Sequence, residues 1–334
     1  MHIDILFDDL AEPFPVSTGH LPPVERVKAL VDAAYERYKA VNEGQNASYY
    51  PALARVPANL FGLCVVGIDS AMYAAGDAQV PFSIMSVSKP FIFALVAQAV
   101  GKEQARANLG ANSTGMPFNS VMAIEMNLER TMNPMVNAGA IATTSLAPGA
   151  TADAKWRFIH EGLSRFAGRE LTLNEDIYAS ASASNQRNRA VARLLESYGR
   201  LYFDPIAAVD LYTRQCSLEV TATDLAVMAA TLADGGVNPI TKDAVIEAAV
   251  CPPVLAVMAT AGMYETSGDW LYNIGLPGKS GVGGGIITVA PGKGGLGTFS
   301  PPLDEAGNSV RGQLATRFLS HQLGLNLFAS KPGK

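Results

Sequence analysis

Apolar positions recur along this chain in three rhythms, and each marks a different stretch. From 22 to 42, Val24, Val27, Leu30, Val31, Ala34, Tyr35 and Tyr38 fall on one stripe at helical spacing, which predicts an amphipathic helix. The run Phe61-Gly62-Leu63-Cys64-Val65-Val66-Gly67-Ile68 is short, apolar and strand-like, and it stops at Asp69-Ser70. It reads as a buried strand, with Cys64 as a small core residue and 71–76 returning as the hairpin partner. From Ser86 the helical period comes back, through Val87, Phe91, Ile92, Leu95, Val96 and Ala99. Pro90 fits that helix only in its first turn, so the helix starts close to Ser86. From about 100 to 265 the pattern is mainly helical. Val191, Leu194, Leu195 and Tyr198 form one stripe, and Leu225, Met228, Ala229 and Leu232 form another, stopped by Gly235-Gly236. Near Gly278 strands return, at 285–289 and 294–299, before a last helix carrying Leu314, Phe318 and Leu323.

Strand material therefore lies at both ends of the chain with helices between. The simplest assembly is one sheet built from both ends, with a helical lobe inserted. A single domain of two lobes is expected: a sheet lobe over about 1–85 and 266–334, and a helical lobe over about 86–265. No internal repeat and no break in composition marks a linker.

Composition narrows the class. The 334 residues are 49% hydrophobic and only 16% charged, against a usual charged share of roughly 25%, which describes a packed globule. The net charge of -5, without any block of lysines or arginines, speaks against a nucleic-acid partner. Cys64, Cys216 and Cys251 contain no Cys-x-x-Cys, so neither a disulfide framework nor a zinc cluster is indicated. The four histidines, His2, His20, His160 and His321, lie far apart, which disfavours a metal site or a Ser-His-Asp triad. No metal and no cofactor is expected. Asp8, Asp9 and Glu12 precede any basic residue, the reverse of a secretory signal, and no apolar run approaches the roughly 18 residues of a membrane span. The chain reads as cytoplasmic, with no membrane partner.

The candidate chemistry starts at Ser86-Val87-Ser88-Lys89, the only Ser-x-x-Lys in the sequence. At i and i+3 on one helix the two side chains share a face. A lysine whose pKa is lowered by burial can take the serine proton, and a helix N-terminus offers free N–H groups to an oxyanion. Taken alone, the same four residues also read as a helix cap followed by a surface lysine. Lys279-Ser280-Gly281 opens the C-terminal strand region, and a Lys-Ser/Thr-Gly strand beside a Ser-x-x-Lys helix is the pairing of serine β-lactamases and penicillin-binding proteins. Gly292-Lys293-Gly294-Gly295-Leu296-Gly297 matches a dinucleotide fingerprint by letters only. Thr298-Phe299-Ser300-Pro301-Pro302 cannot open the helix such a site needs, so a hairpin turn is the better reading.

With these residues in place, nearly the whole chain resembles the serine-dependent glutaminases. The resemblance rests on Tyr49-Tyr50-Pro51, the stretch around Ser86, Asn133-Pro134-Met135-Val136-Asn137-Ala138-Gly139-Ala140, Arg187-Asn188, Tyr212 with Cys216-Ser217, Gly262-Met263-Tyr264 and Gly278-Lys279-Ser280-Gly281-Val282. It implies an α+β, serine β-lactamase-like fold with an antiparallel sheet, and a homo-oligomer. It implies that Ser86 attacks the side-chain amide of L-glutamine, Lys89 accepts the serine proton, and Tyr264 with Tyr49 relays a proton to the leaving ammonia. The N–H groups of Ser86 and Val282 would hold the oxyanion, and Asn137, Asn188 and Tyr212 would grip the amino-acid end. By themselves Asn137 also reads as a helix cap, Asn188 as a solvated helix residue, and Tyr212 and Tyr264 as packing residues. One position departs from the family. Where it has a Ser-Glu pair, its glutamate pairing with the substrate's α-ammonium, this chain has Ser180-Ala181. Two other readings therefore stay open: a serine hydrolase of another amide or ester, and a non-catalytic amino-acid-binding module.

Overall fold

The hairpin expected near the N-terminus forms as β1 (Gly62–Gly67) and β2 (Met72–Gly76), paired antiparallel with Val65 opposite Tyr73. The structure, a computed structural model, describes residues 19–330. The acidic stretch with Asp8, Asp9 and Glu12, and His2, lie outside the described residues. A two-residue strand β3 (Phe82–Ser83) pairs with β4 (Glu219–Val220) away from the main sheet. The C-terminal strands are β5 (Gly278–Ser280), β6 (Gly285–Ala290) and β7 (Gly294–Phe299). The main sheet runs β2-β1-β7-β6-β5, antiparallel throughout. Its centre is the β1–β7 pair, where the two ends of the chain meet.

Both faces of β1 are buried, which is why its sequence is a continuous apolar run. Leu63 and Val65 point to the helices Val24–Tyr38 and Val310–Gln322, packing with Val27, Val31 and Leu314. Cys64 and Val66 point the other way, onto Ala226, Val227 and Ala230 of the helix Ala222–Ala233. That helix approaches very closely. A Cβ at Gly295 would stand 2.3 Å from Ala230 N, and one at Gly297 would stand 2.2 Å from Ala222 O. The glycines of the false dinucleotide fingerprint thus form the turn after β6 and the face of β7 that admits a helix. Although Ala222–Ala233 falls inside the mainly helical stretch of sequence, it belongs spatially to the sheet.

Most of the helices between the two strand regions gather around the helix Lys89–Val100, against which the helices Asn137–Ser145, Ala152–Ala167 and Cys251–Ala261 pack. Lys89–Val100 is buried on every side over 89–97, so its apolar residues form no single stripe, and Ala99 at its end is exposed. Val24 and Tyr198, placed on apolar stripes by spacing, are also exposed, and Tyr198 meets Glu125 and Arg130 at the surface instead of the core. No single helix among the described residues is long and apolar enough to cross a membrane.

Candidate active site

Ser86 sits on a 3-10 turn, Met85–Ser88, and Lys89 is the first residue of the α-helix that follows, with Pro90 in its first turn. The expected single helix is thus a tight turn feeding a helix. The two residues keep their i, i+3 spacing across the junction between the turn and the helix. The turn is held from both sides. Ile84 N donates to Leu218 O at 2.9 Å, and Ser88 Oγ donates to Met85 O at 2.8 Å. Met85 has φ 47°, left-handed for a non-glycine residue, so packing imposes a conformation that the residue alone disfavours. Behind the turn runs the β5–β6 connection: a Cβ at Gly281 would lie 3.2 Å from Ser86 N, and one at Gly283 would lie 2.6 Å from Ser83 O. The small residues of Lys279-Ser280-Gly281 are therefore what lets this strand lie against the serine.

Lys89 is 1% exposed. Its Nζ donates to Asn137 Oδ1 at 2.8 Å and to Met135 O at 3.3 Å. Burial without a carboxylate partner brings its pKa down to about 7, so the amine is half neutral near neutrality. Asn137 opens the helix Asn137–Ser145 and passes the hydrogen bonding on. Its Oδ1 accepts from Tyr212 OH at 3.2 Å, and its Nδ2 donates to Asn188 Oδ1 at 3.2 Å. Asn188 Nδ2 donates to Asn185 Oδ1 at 2.8 Å, and Asn185 Nδ2 reaches Thr213 Oγ1 at 2.5 Å. One directional chain of amides links the lysine to three helices, and burial pushes the Tyr212 phenol well up.

Tyr264 closes the other side. It is buried, its OH donates to Ser280 O at 3.2 Å, and it reaches the Ser86 hydroxyl. Burial raises its pKa, so it stays a neutral donor. Its φ of 58° makes it a second left-handed non-glycine residue at the site. Lys279 lies fully buried with Nζ 4.3 Å from the Tyr264 ring centroid and donates to Gly262 O at 2.9 Å and to Ser280 O. Burial, and then the charge of Lys89, lowers its pKa well below the usual lysine value. Val282 is half-buried; a Cβ at Gly307 would stand 3.7 Å from both its Cγ1 and Tyr264 Cε2, so the two residues are neighbours.

Ser86, Lys89, Asn137, Asn188, Tyr212, Tyr264 and Val282 thus come together around one turn. Tyr49 stands at the rim, 55% exposed, its ring meeting Phe118 rather than Tyr264 at the closest aromatic contact. Ala181 is buried on the helix Glu175–Ala183 and carries no charge to the site. Two participants escaped the sequence reading, and a third, Cys216, entered it only as part of the family resemblance. Asn185 had a usable signal, three residues ahead of Asn188 at a helix start. Cys216 lies buried beside Tyr212 and Ser88, and burial raises its pKa against the pull of Lys89. Phe118 follows Pro117 in an irregular segment and carries no pattern at all.

Comparison with known proteins gives the family. The glutaminase family model matches residues 44–328. Glutaminase 2 of Yersinia pestis is 63% identical over 317 residues, covering 95% of this chain and 93% of its own. The glutaminase of Brucella canis is 50% identical over 307 residues, 92% of this chain and 97% of its own. Among solved structures, a probable glutaminase, ybaS, superposes with a TM-score of 0.91 at 45% identity, covering 92% of this chain and all (100%) of its own. A second solved structure, Mglu in its tris and glutamate form, has a TM-score of 0.86 at 37% identity over 91% of this chain and 68% of its own.

Proposed function

Because this chain belongs to the glutaminase family, we propose that it hydrolyses the side-chain amide of L-glutamine to L-glutamate and ammonia through an acyl-serine intermediate. Its α+β architecture is the serine β-lactamase-like fold. The observation that carries the mechanism is a lysine buried three residues after the serine, with its pKa brought down to about 7. Such an amine is neutral often enough near neutrality to act as a base and strong enough to deprotonate a hydroxyl in the transition state.

In the acylation step the Ser86 Oγ–H proton passes to Lys89 Nζ as Oγ bonds to the amide carbon. The N–H groups of Ser86 and Val282 hold the oxyanion. The carbon–nitrogen bond then breaks while Tyr264 hands a proton to the departing nitrogen and takes back the one held on Lys89, with Tyr49 at the rim, so ammonia leaves and Lys89 is neutral again. Water adds to the acyl-serine, Lys89 takes its proton, and glutamate departs with Ser86 reprotonated. Asn137, Asn188 and Tyr212 bind the amino-acid end; their mutual hydrogen bonds fix their orientation before substrate arrives. The partner is thus a small amino-acid amide, and the enzyme is read as a cytoplasmic homo-oligomer, as the family resemblance implies.

Ammonia release from L-glutamine by the purified protein, abolished in Ser86→Ala, is the expected result; an inert parent across substrate concentrations would overturn the reading. Ala181 favours a second reading, a hydrolase with weaker preference for an α-ammonium. A charge-assisted contact is worth about 1.5–3 kcal/mol, so Ala181→Glu is expected to raise kcat/KM for glutamine by about tenfold or more. No gain over amides lacking the ammonium would show that position 181 does not set this preference.

A further inference from the structure

Phe118 lies on an irregular segment, half-buried, yet it touches both sides of the site. Its ring centroid is 4.6 Å from that of Tyr264, tilted by 36°, and 6.4 Å from that of Tyr49, edge-on at 74°. Its carbonyl accepts the N–H of Asn137 at 2.9 Å. The next carbonyl, that of Asn119, accepts Nε of Arg187 at 2.9 Å, one residue before Asn188. The segment is therefore moored to the start of each helix that carries a site asparagine, and the mooring aims the Phe118 ring at Tyr264.

We propose that Phe118 is a positioning residue that holds the Tyr264 phenol where it reaches Ser86 and Ser280. Tyr264 needs such a hold, because its left-handed backbone is a conformation that packing must impose. An aromatic neighbour supplies a preferred tilt that an aliphatic side chain of similar bulk does not. Through its carbonyl, Phe118 also ties the ring that orients the proton donor to Asn137, which faces Lys89. The two halves of the site are thereby set in one geometry. This inference rests on the hydrolytic reading above and names a residue outside the family motifs that support it.

Three variants and one spectroscopic label test it. Phe118→Leu keeps apolar bulk and loses the ring, and is expected to lower kcat for L-glutamine by about tenfold while KM stays within about twofold. Phe118→Tyr keeps the ring and should retain kcat. In a Tyr264→Phe background, Phe118→Leu should cause little further loss, since the hydroxyl it orients is gone. An unchanged kcat in folded Phe118→Leu, or the same tenfold loss in the Tyr264→Phe background, would overturn the proposal. With 3-fluorotyrosine at position 264, the fluorine resonance should shift or broaden in Phe118→Leu, and an unaltered resonance overturns the proposal as well. An inert parent enzyme would instead overturn the hydrolytic reading, and the fluorine comparison would still decide the role of Phe118.

Discussion

Two buried lysines sit at opposite ends of the helix Asn137–Ser145 and have opposite uses. Lys89, 1% exposed, faces its N-terminus through Asn137 Oδ1 and Met135 O. Lys155, 6% exposed, faces its C-terminus, where Nζ donates to Ser145 O at 3.1 Å and to Ala147 O and lies 4.7 Å from the Phe203 ring centroid. Burial lowers the pKa of both. The helix macrodipole separates them: partial positive charge at the N-terminus disfavours an ammonium, and partial negative charge at the C-terminus favours one. For Lys89 both effects push toward the neutral amine, which makes a base. At Lys155 the dipole and the carbonyls oppose burial, and an ammonium ties off the helix end. Lys89 is the more deeply buried of the two, and the helix end that each one faces works in the same direction as that difference.

The largest expected effect breaks that symmetry outright. Lys89→Met should lower kcat/KM for glutamine by about a thousandfold or more, whereas Lys155→Met, assayed where it is folded, should stay within a few-fold of the parent. Steady-state ammonia release measures both, and equal losses would erase the distinction. A smaller effect appears in the pH profile. In the proposed mechanism Lys89 works as the free base, so kcat/KM should rise about tenfold per pH unit below a bend near about 7 and level off above it. A profile with no bend between pH 6 and about 8 would contradict a depressed Lys89.

The smallest effect is on stability, and it runs in opposite directions at the two ends. The Lys89 pKa is about 7 in the fold against 10.5 as its ordinary value. Between those two pH values the unfolded chain binds the extra proton, so stability rises with pH across that window and carries its full penalty below it. Lys89→Met removes the penalty and should stabilise the protein at pH about 7 by roughly 1–3 kcal/mol. Lys155→Met leaves buried carbonyls without their donor and should destabilise by roughly 1–3 kcal/mol. Thermal or urea unfolding of both variants checks the signs, and a loss of stability in Lys89→Met would mean that its hydrogen bonds outweigh its buried charge. The expected trade of stability for activity at Lys89 matches the two left-handed residues nearby, Met85 and Tyr264.

Much of the fold was legible because its causes are local. The apolar run at 61–68 and the turn residues after it specify β1 and its hairpin, and Pro90 places a helix start beside Ser86. Composition likewise disposed of zinc clusters and nucleic acid as working hypotheses. Other features misled for an equally physical reason. Spacing marks an apolar stripe but does not show what covers it, so Val24 came out exposed and the helix Lys89–Val100 came out buried all round. The glycines of 292–297, read as a hairpin turn and not a phosphate loop, do lie in the β6–β7 hairpin, and Gly295 and Gly297 use the freedom of glycine to approach the backbone of Ala222–Ala233.

What the sequence by itself determined is the inventory: one Ser-x-x-Lys, a Lys-Ser-Gly strand, the asparagines and tyrosines in order, and alanine at 181. Tertiary structure alone decided what that inventory does. Lys89 meets Asn137 across 48 positions of chain, and Gln215 closes on Ser88 across 127. Burial, the field of a helix end and the tilt of one ring against another arise only when such distant segments are brought together. The proposed roles of Lys89 as a base and of Phe118 as a brace rest on desolvation and contact geometry that no local pattern of residues encodes.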